Sequence, residues 1–220
     1  MKFVNYSLKV GNNKLLDNLN ISFEDKVINH LLGSNGVGKS CFAKSCLEML
    51  PYTGVIEGMD STPVLISSYS NIPLDFMISD IVNILEKRFP KERLTYFWNL
   101  LNLDNIPKKI RIKKMSDGQK QKIKLLCFLI QLPKIIILDE FTSALDKSST
   151  LEIYNFINSY VKENNITCIN ITHNLSDIEY MPGNYYFFND KNIIKIDSKE
   201  DMINAYVKGG LSVGNKEKHK

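Results

Sequence analysis

The sequence predicts an α/β fold, with a mostly parallel sheet covered by helices and built around a phosphate-binding loop. Three observations carry this. Val27-Ile28-Asn29-His30-Leu31-Leu32, Ile135-Ile136-Ile137-Leu138 and Thr167–Thr172 are short, largely apolar runs, as expected for strands buried on both faces. Segments with helical periodicity lie between them, which favours strand–helix–strand units and parallel pairing. A glycine-rich stretch joins the first of these strands to the first helix.

The elements follow in order. Phe3–Val10 and Leu19–Phe23 carry period-two alternation and are separated by Gly11-Asn12-Asn13, which predicts an N-terminal antiparallel β portion. After the glycine-rich loop, Ser40–Leu50 reads as a helix stopped by Pro51. Val55–Ile66 reads as further short strand, broken by Gly58 and Pro63. Ser79–Phe89 has apolar residues at a helical period before Pro90, and Glu92–Leu101 and Ser116–Leu132 read as two more helices. These form a small helical insert over about 75–132. Ser148–Val161 is a predicted helix with Leu151, Tyr154, Ile157 and Val161 on one side. Tyr185–Phe188 and Ile193–Ile196 suit a hairpin across Asn189–Asn192, and Ser198–Val207 a last helix. The expected division is one domain, 1–208, with 209–220 as a flexible tail.

The 220 residues suit one such domain. No apolar run approaches the ~20 residues of a membrane-spanning helix. The start, MKFVNYSLKV, lacks the apolar core of a secretion signal. The expected location is therefore cytoplasmic. Cys41, Cys46, Cys127 and Cys168 show no C-x-x-C spacing and are expected to be reduced thiols, mostly in the core, and not a metal site. A net charge of +4 is too small to argue for an anionic partner.

The chemistry begins at Gly33-Ser34-Asn35-Gly36-Val37-Gly38-Lys39-Ser40-Cys41. It matches G-x-x-x-x-G-K-[ST], the phosphate-binding loop. The glycines allow backbone N–H groups to point inward as an anion nest. Lys39 adds a mobile charge for the outer phosphates, Ser40 an oxygen for Mg²⁺, and the following helix its N-terminus. Ile135–Leu138 runs into Asp139-Glu140, and carboxylates ending a buried strand are costly unless they have a task. Asp139 is placed to hold a hydrated Mg²⁺ and Glu140 to polarise an attacking water. His173 ends another apolar strand, where it could meet a phosphate or orient that water; His30 and His219 read as structural and tail residues. Ser116-Asp117-Gly118-Gln119 opens a helix, with Ser116 as cap and Gly118 allowing close approach. It is a second phosphate-binding candidate, and a twofold dimer sharing its sites would use both.

These stretches together resemble the ATP-binding subunit of an ABC transporter, an α/β P-loop NTPase of the ABC-ATPase type. Gly33–Ser40 resembles the family's Walker A motif and Ile135–Glu140 its Walker B strand. Ser116–Gln119 resembles the signature motif that reads the partner's ATP. Ser143-Ala144-Leu145-Asp146 resembles the D-loop crossing the dimer seam, and His173 the switch histidine. The resemblance implies ATP and Mg²⁺, catalysis by Glu140 and His173, and metal binding by Ser40 and Asp139. It implies nucleotide contacts from Gly33–Cys41, Ser116, Asp117, Gly118, Gln119 and Asp146. It also implies a homodimer or pseudo-symmetric heterodimer with another ATP-binding subunit. That dimer would sit at the inner face of the cell membrane through integral membrane permease subunits and power solute or peptide transport, with the insert facing those partners.

Some positions depart from the family pattern. Asp117 stands where a glycine is usual, Cys41 for a threonine and Phe141 for a proline. Cys41 is expected to pack and to show slow, ATP-protected alkylation; Phe141 is expected to pack beneath its loop. No glutamine lies between the P-loop and Gln119, so the family's metal-contacting loop residue is sought among Ser68, Tyr69, Ser70 and Asn71. Lys9 and Val10 occupy the neighbourhood of the adenine-stacking aromatic, with Phe3 or Tyr6 as candidates to substitute. The basic run Lys108–Lys114, continuing to Lys120, Lys122 and Lys124, reads as solvated surface before and along the helix at Ser116, and nucleic acid is not an expected partner. Two other functions fit the motifs: a soluble ATPase acting on ribosomes or DNA, and a low-turnover nucleotide-dependent regulator. The first usually carries two such domains or long coiled-coil inserts; the second would show no turnover dependent on Glu140.

Overall fold

The computed structural model describes residues 1–59, 61–67 and 72–208. Two sheets share a layer of apolar side chains. The smaller is antiparallel, in the order β2 (Asn13–Ser22), β1 (Lys2–Val10), β4 (Tyr52–Glu57). The larger has six strands in the order β5 (Val64–Ser67), β6 (Ile135–Asp139), β7 (Thr167–Ile171), β3 (Ile28–Gly33), β8 (Asn184–Asn189), β9 (Asn192–Ile196). Its pairs are parallel except β8 with β9, the predicted hairpin.

Period-two geometry sorts the central strands onto two covered faces. Ile135 and Ile137 of β6 join Phe3, Tyr6 and Phe23 beside helix α1 (Lys39–Cys46). Ile136 and Leu138 point the other way, into a core with α4 (Asp117–Leu129) and α5 (Lys147–Asn164). That core also takes in α2 (Ile78–Glu86) and α3 (Lys91–Leu100). A third cluster places Phe187 and Ile196 against α7 (Lys199–Val207).

Four expectations need correction. Helix α1 ends at Cys46, short of Leu50, because Glu48 takes a left-handed φ of 58° that a helix cannot continue. Val55–Ile66 holds parts of two strands in different sheets, with the turn at Gly58 between them. Phe3 and Tyr6 have no exposed surface, locked edge-on against each other and beside Phe42. They therefore cannot stack on a bound base, whereas Val10 is 37% exposed at the β1–β2 turn. A short helix, α6 (Leu175–Tyr180), follows His173 and was not expected. Its six residues are too few to show a period. Residues 68–71 and 209–220, which carry the loop-glutamine and tail expectations, lie outside the described residues.

His30 is structural, as expected. Its Nε2 lies 2.8 Å from the Met181 carbonyl, and burial pushes the imidazole down to about 4, so it is neutral near pH 7. Cys46 and Cys168 are buried thiols, while Cys41 and Cys127 are partly buried. Phe141 is buried, as its loop position suggested.

Candidate active site

Parallel strands β3, β6 and β7 end at one edge. Asp139 pairs in register with Ile171, and Leu31 also pairs with Ile171, so the residues just beyond each strand converge. The loop after β3 is cramped at its start: a Cβ on Gly33 would sit 2.6 Å from the Phe188 carbonyl oxygen. At its end Gly38 takes φ 116° as the N-cap of α1, a conformation that disfavours any side chain. No side chain caps α1, and no acid stands in its first turn. Its first N–H groups and dipole are thus presented to an anion.

Lys39 reaches back over the loop. Its Nζ donates to the Gly33 carbonyl at 2.8 Å and the Ser34 carbonyl at 3.0 Å. Burial lowers its pKa, opposed by the nearby charges of Glu140 and Asp139. Asp139 is 3% exposed. Burial raises its pKa, and a hydrogen bond from Ser40 opposes that rise. Its Oδ1 has no hydrogen-bond partner among the described residues, an orphaned acceptor that a hard cation would satisfy.

Glu140 has a backbone feature invisible in the sequence. Its φ is 52°, in the left-handed region, which costs a non-glycine residue about 1–2 kcal/mol. Its N–H donates to the Ile171 carbonyl at 2.9 Å, and its own carbonyl accepts from Ser143 Oγ at 2.9 Å. The Glu140 side chain turns toward His173, with Oε1 3.2 Å from Nδ1. Asn35, Gly36, Gly38, Lys39, Ser40, Cys41, Glu140 and His173 line one cleft of about 360 Å³. Val37 packs beneath the loop, in the core beside α1.

The remaining predicted residues lie elsewhere. Ser116 caps α4 through a reciprocal pair: Gln119 N–H donates to Ser116 Oγ at 3.2 Å, and Ser116 N–H to Gln119 Oε1 at 3.1 Å. Asp117 takes no part in the cap and pairs with Lys120 at 3.0 Å. Gly118 does permit a close approach, but to its own chain: a Cβ there would collide with Ser149 Oγ. Asp146 caps α5, accepting from Ser149 N–H at 2.9 Å and Ser149 Oγ at 2.7 Å. Those bonds hold its carboxyl below the usual range. None of these residues lines the cleft.

On α4 the sequence reading missed Gln121, and Lys124, expected with the basic run on a solvated surface, is instead buried. Gln121 Nε2 donates to the Phe141 carbonyl at 2.7 Å, just past Glu140. Lys124 is buried with its Nζ donating to the Ser67 carbonyl at 3.1 Å, and burial lowers its pKa. Their i, i+3 spacing puts both on one helical face, the signal that would have found them. Of the basic run, Lys113 pairs with Asp75 at 2.7 Å, and Lys108 Nζ lies 5.7 Å from the centre of the Trp98 ring.

Residues 16–143 match the family model described as ABC transporter. The chain belongs to the ABC transporter family. This ABC chain is similar to the "Probable peptide export ATP-binding protein YydI" of Bacillus subtilis (strain 168), 43% identical over 208 residues that cover 94% of the chain and 99% of that protein. It is 29% identical to the "Energy-coupling factor transporter ATP-binding protein EcfA" of Pediococcus pentosaceus, over 88% of the chain and 76% of that protein. Two solved structures share its fold. One is a bacterial Atm1-family ABC exporter with ATP bound, at a TM-score of 0.78 and 19% identity over 94% of this chain and 41% of that one. The other is a putative metal-chelate type ABC transporter, at 0.75 and 18% over 94% and 87%. The chain is an ATP-binding subunit and an ATPase that powers transport together with membrane components. No helix among the described residues is long and apolar enough to cross a membrane.

Proposed function

We propose that this subunit drives export of a peptide through separate integral membrane permease subunits. The observation that carries the reading is the 43% identity to a probable peptide export ATP-binding protein across 99% of that protein's length. Two ATP-binding subunits, identical or pseudo-symmetric, would close face to face on ATP at the cytoplasmic side of the membrane. Each α4 start would then meet the nucleotide held by the other subunit's P-loop. The domain spans 1–208, and its insert, about 75–132, is the part that would touch the permease.

In this reading the cleft residues divide the work. Gly33–Cys41 and the start of α1 bind the phosphates, with Lys39 on the outer ones. Glu140 holds and deprotonates the attacking water. His173, beside the Glu140 carboxylate, orients that water and the terminal phosphate. Ser116, Asp117, Gly118, Gln119 and Asp146 act across the dimer seam. The donors fit Mg²⁺: Ser40 and Asp139 offer two hard oxygens at adjoining positions, and the orphaned Asp139 Oδ1 gains a partner. Bound there, Mg²⁺ would supply charge neutralisation on the phosphates.

The test is mass spectrometry of what purifies with tagged Glu140→Gln protein from gently solubilised membranes. A stoichiometric multi-span protein is expected. Recovery with ribosomes or nucleic acid, and without such a protein, overturns the reading.

A further inference from the structure

A buried carboxylate that the cleft does not use lies behind Glu140 and His173. Asp177 belongs to α6, four residues beyond His173, and is 1% exposed. Its Oδ1 accepts from Thr142 Oγ1 at 2.9 Å and from the Tyr154 hydroxyl at 2.6 Å. Its Oδ2 accepts from Asn170 Nδ2 at 3.1 Å. The same Asn170 amide faces His30 Nδ1 at 3.2 Å. With Nδ1 accepting, His30 carries its proton on Nε2 and donates to the Met181 carbonyl.

Among the described residues no cation pairs with Asp177; these side-chain partners are neutral donors. Burying a carboxylate this way is costly. In return, hydrogen bonds to a carboxylate are stronger than neutral ones, and the one from Tyr154, at 2.6 Å, is short. The donors arrive from three parts of the chain. Thr142 stands two residues after Glu140. Asn170 stands on β7, three residues before His173, in register with Leu138 of the strand that leads to Glu140. Tyr154 comes from the middle of α5.

We propose that Asp177 is a positioning residue, fixing the segment after Glu140 against the segment that carries His173 and so setting the 3.2 Å contact between those side chains. The inference rests on the roles given above to Glu140 and His173. Asp177 is buried and does not line the cleft; it acts through Thr142 on one side and through β7 and α6 on the other.

Two variants separate positioning from mere support. Thr142→Val and Tyr154→Phe each remove one donor to the same oxygen, so both should lower thermal stability by similar amounts. Only Thr142 is attached to the Glu140 segment. Thr142→Val is expected to lower kcat by roughly tenfold or more with KM for ATP within about twofold, as small misplacements of catalytic groups do. Tyr154→Phe should keep kcat within about twofold of wild type. The NMR resonance of the His173 ring should move in Thr142→Val and stay in Tyr154→Phe. A kcat within twofold of wild type in Thr142→Val, or a comparable fall in Tyr154→Phe, overturns the inference. Wild-type turnover in Glu140→Gln would instead overturn the roles beneath it, and the His173 resonance then decides alone.

Discussion

Helices α1 and α4 both start at sequences suited to phosphate, yet their ends are finished differently. The start of α1 has Gly38 in a left-handed conformation, no side-chain cap and no acid. Its donors open into the cleft of its own chain. The start of α4 is closed by the Ser116–Gln119 box, carries Asp117, and is exposed. Satisfying donors internally costs little at an exposed end and prevents fraying. Leaving them unsatisfied is useful only where an anion will arrive. The contrast fits a division in which α1 serves its own subunit and α4 serves another, with the box opening or sharing its donors on closure.

Glu140→Gln tests the two ends together and should have the largest effect. Loss of the proposed base should cut phosphate release by ~10²–10⁴-fold while an ATP-bound dimer accumulates. Light scattering that finds only monomer at every ATP and protein concentration breaks the comparison. Next, Lys39→Ala removes a charge-assisted contact at the α1 end only. ATP affinity in the isolated chain should fall by roughly 10–100-fold by calorimetry, from the ~1.5–3 kcal/mol of such contacts. Unchanged affinity would remove α1 from its role.

A third measurement checks the frame behind both ends. The folded state protonates His30 only near pH 4, whereas the unfolded chain does so near pH 6.5. The unfolded state therefore binds more protons between those values, and stability falls as pH drops through that window. By pH 5 the loss should reach about 2 kcal/mol. Unfolding free energies from urea titrations at pH 7 and 5 should differ by that amount for wild type and by much less for His30→Gln.

The smallest effects belong to the α4 end. Ser116→Ala should cost about 1 kcal/mol of stability and leave ATP binding to the isolated chain unchanged. A loss of ATP affinity there would show that α4 serves its own cleft. Asp117→Asn should cost ~0.3–1 kcal/mol by removing a carboxylate from a helix N-terminus, while tightening ATP-driven association severalfold by ultracentrifugation.

What could be read from the sequence was whatever depended on local order. The P-loop, the Ile135–Asp139 strand and the hairpin of β8 and β9 were legible because period and turn chemistry are short-range. His173 could be placed at the same edge as Asp139 because parallel strands end together. The limits are equally physical. The left-handed φ of Glu140 depends on contacts to Ile171 and Ser143, which no propensity encodes. Gly118 signalled a close approach, but not that Ser149 of its own chain makes it. Asp177 carried no signal in the sequence; its donors come from residues 142, 154 and 170, brought together only by the folded chain. Phe3 and Tyr6 were misjudged because strict alternation places them on opposite faces of β1, whereas an irregularity between them, with Asn5 at φ 49°, lets both enter the core.

Lys39 has a consequence for how fast the cleft can respond. Its ammonium is held by two carbonyls of the loop it serves, so most of the roughly 2 kcal/mol of rotamer entropy that a lysine side chain can lose is spent in folding. In the proposed role, an incoming polyphosphate would meet a charge already confined to one place, and that part of the ordering cost would not count against its affinity. The same tether would return the side chain to its place when product leaves, so that successive turnovers would begin from one arrangement of the loop.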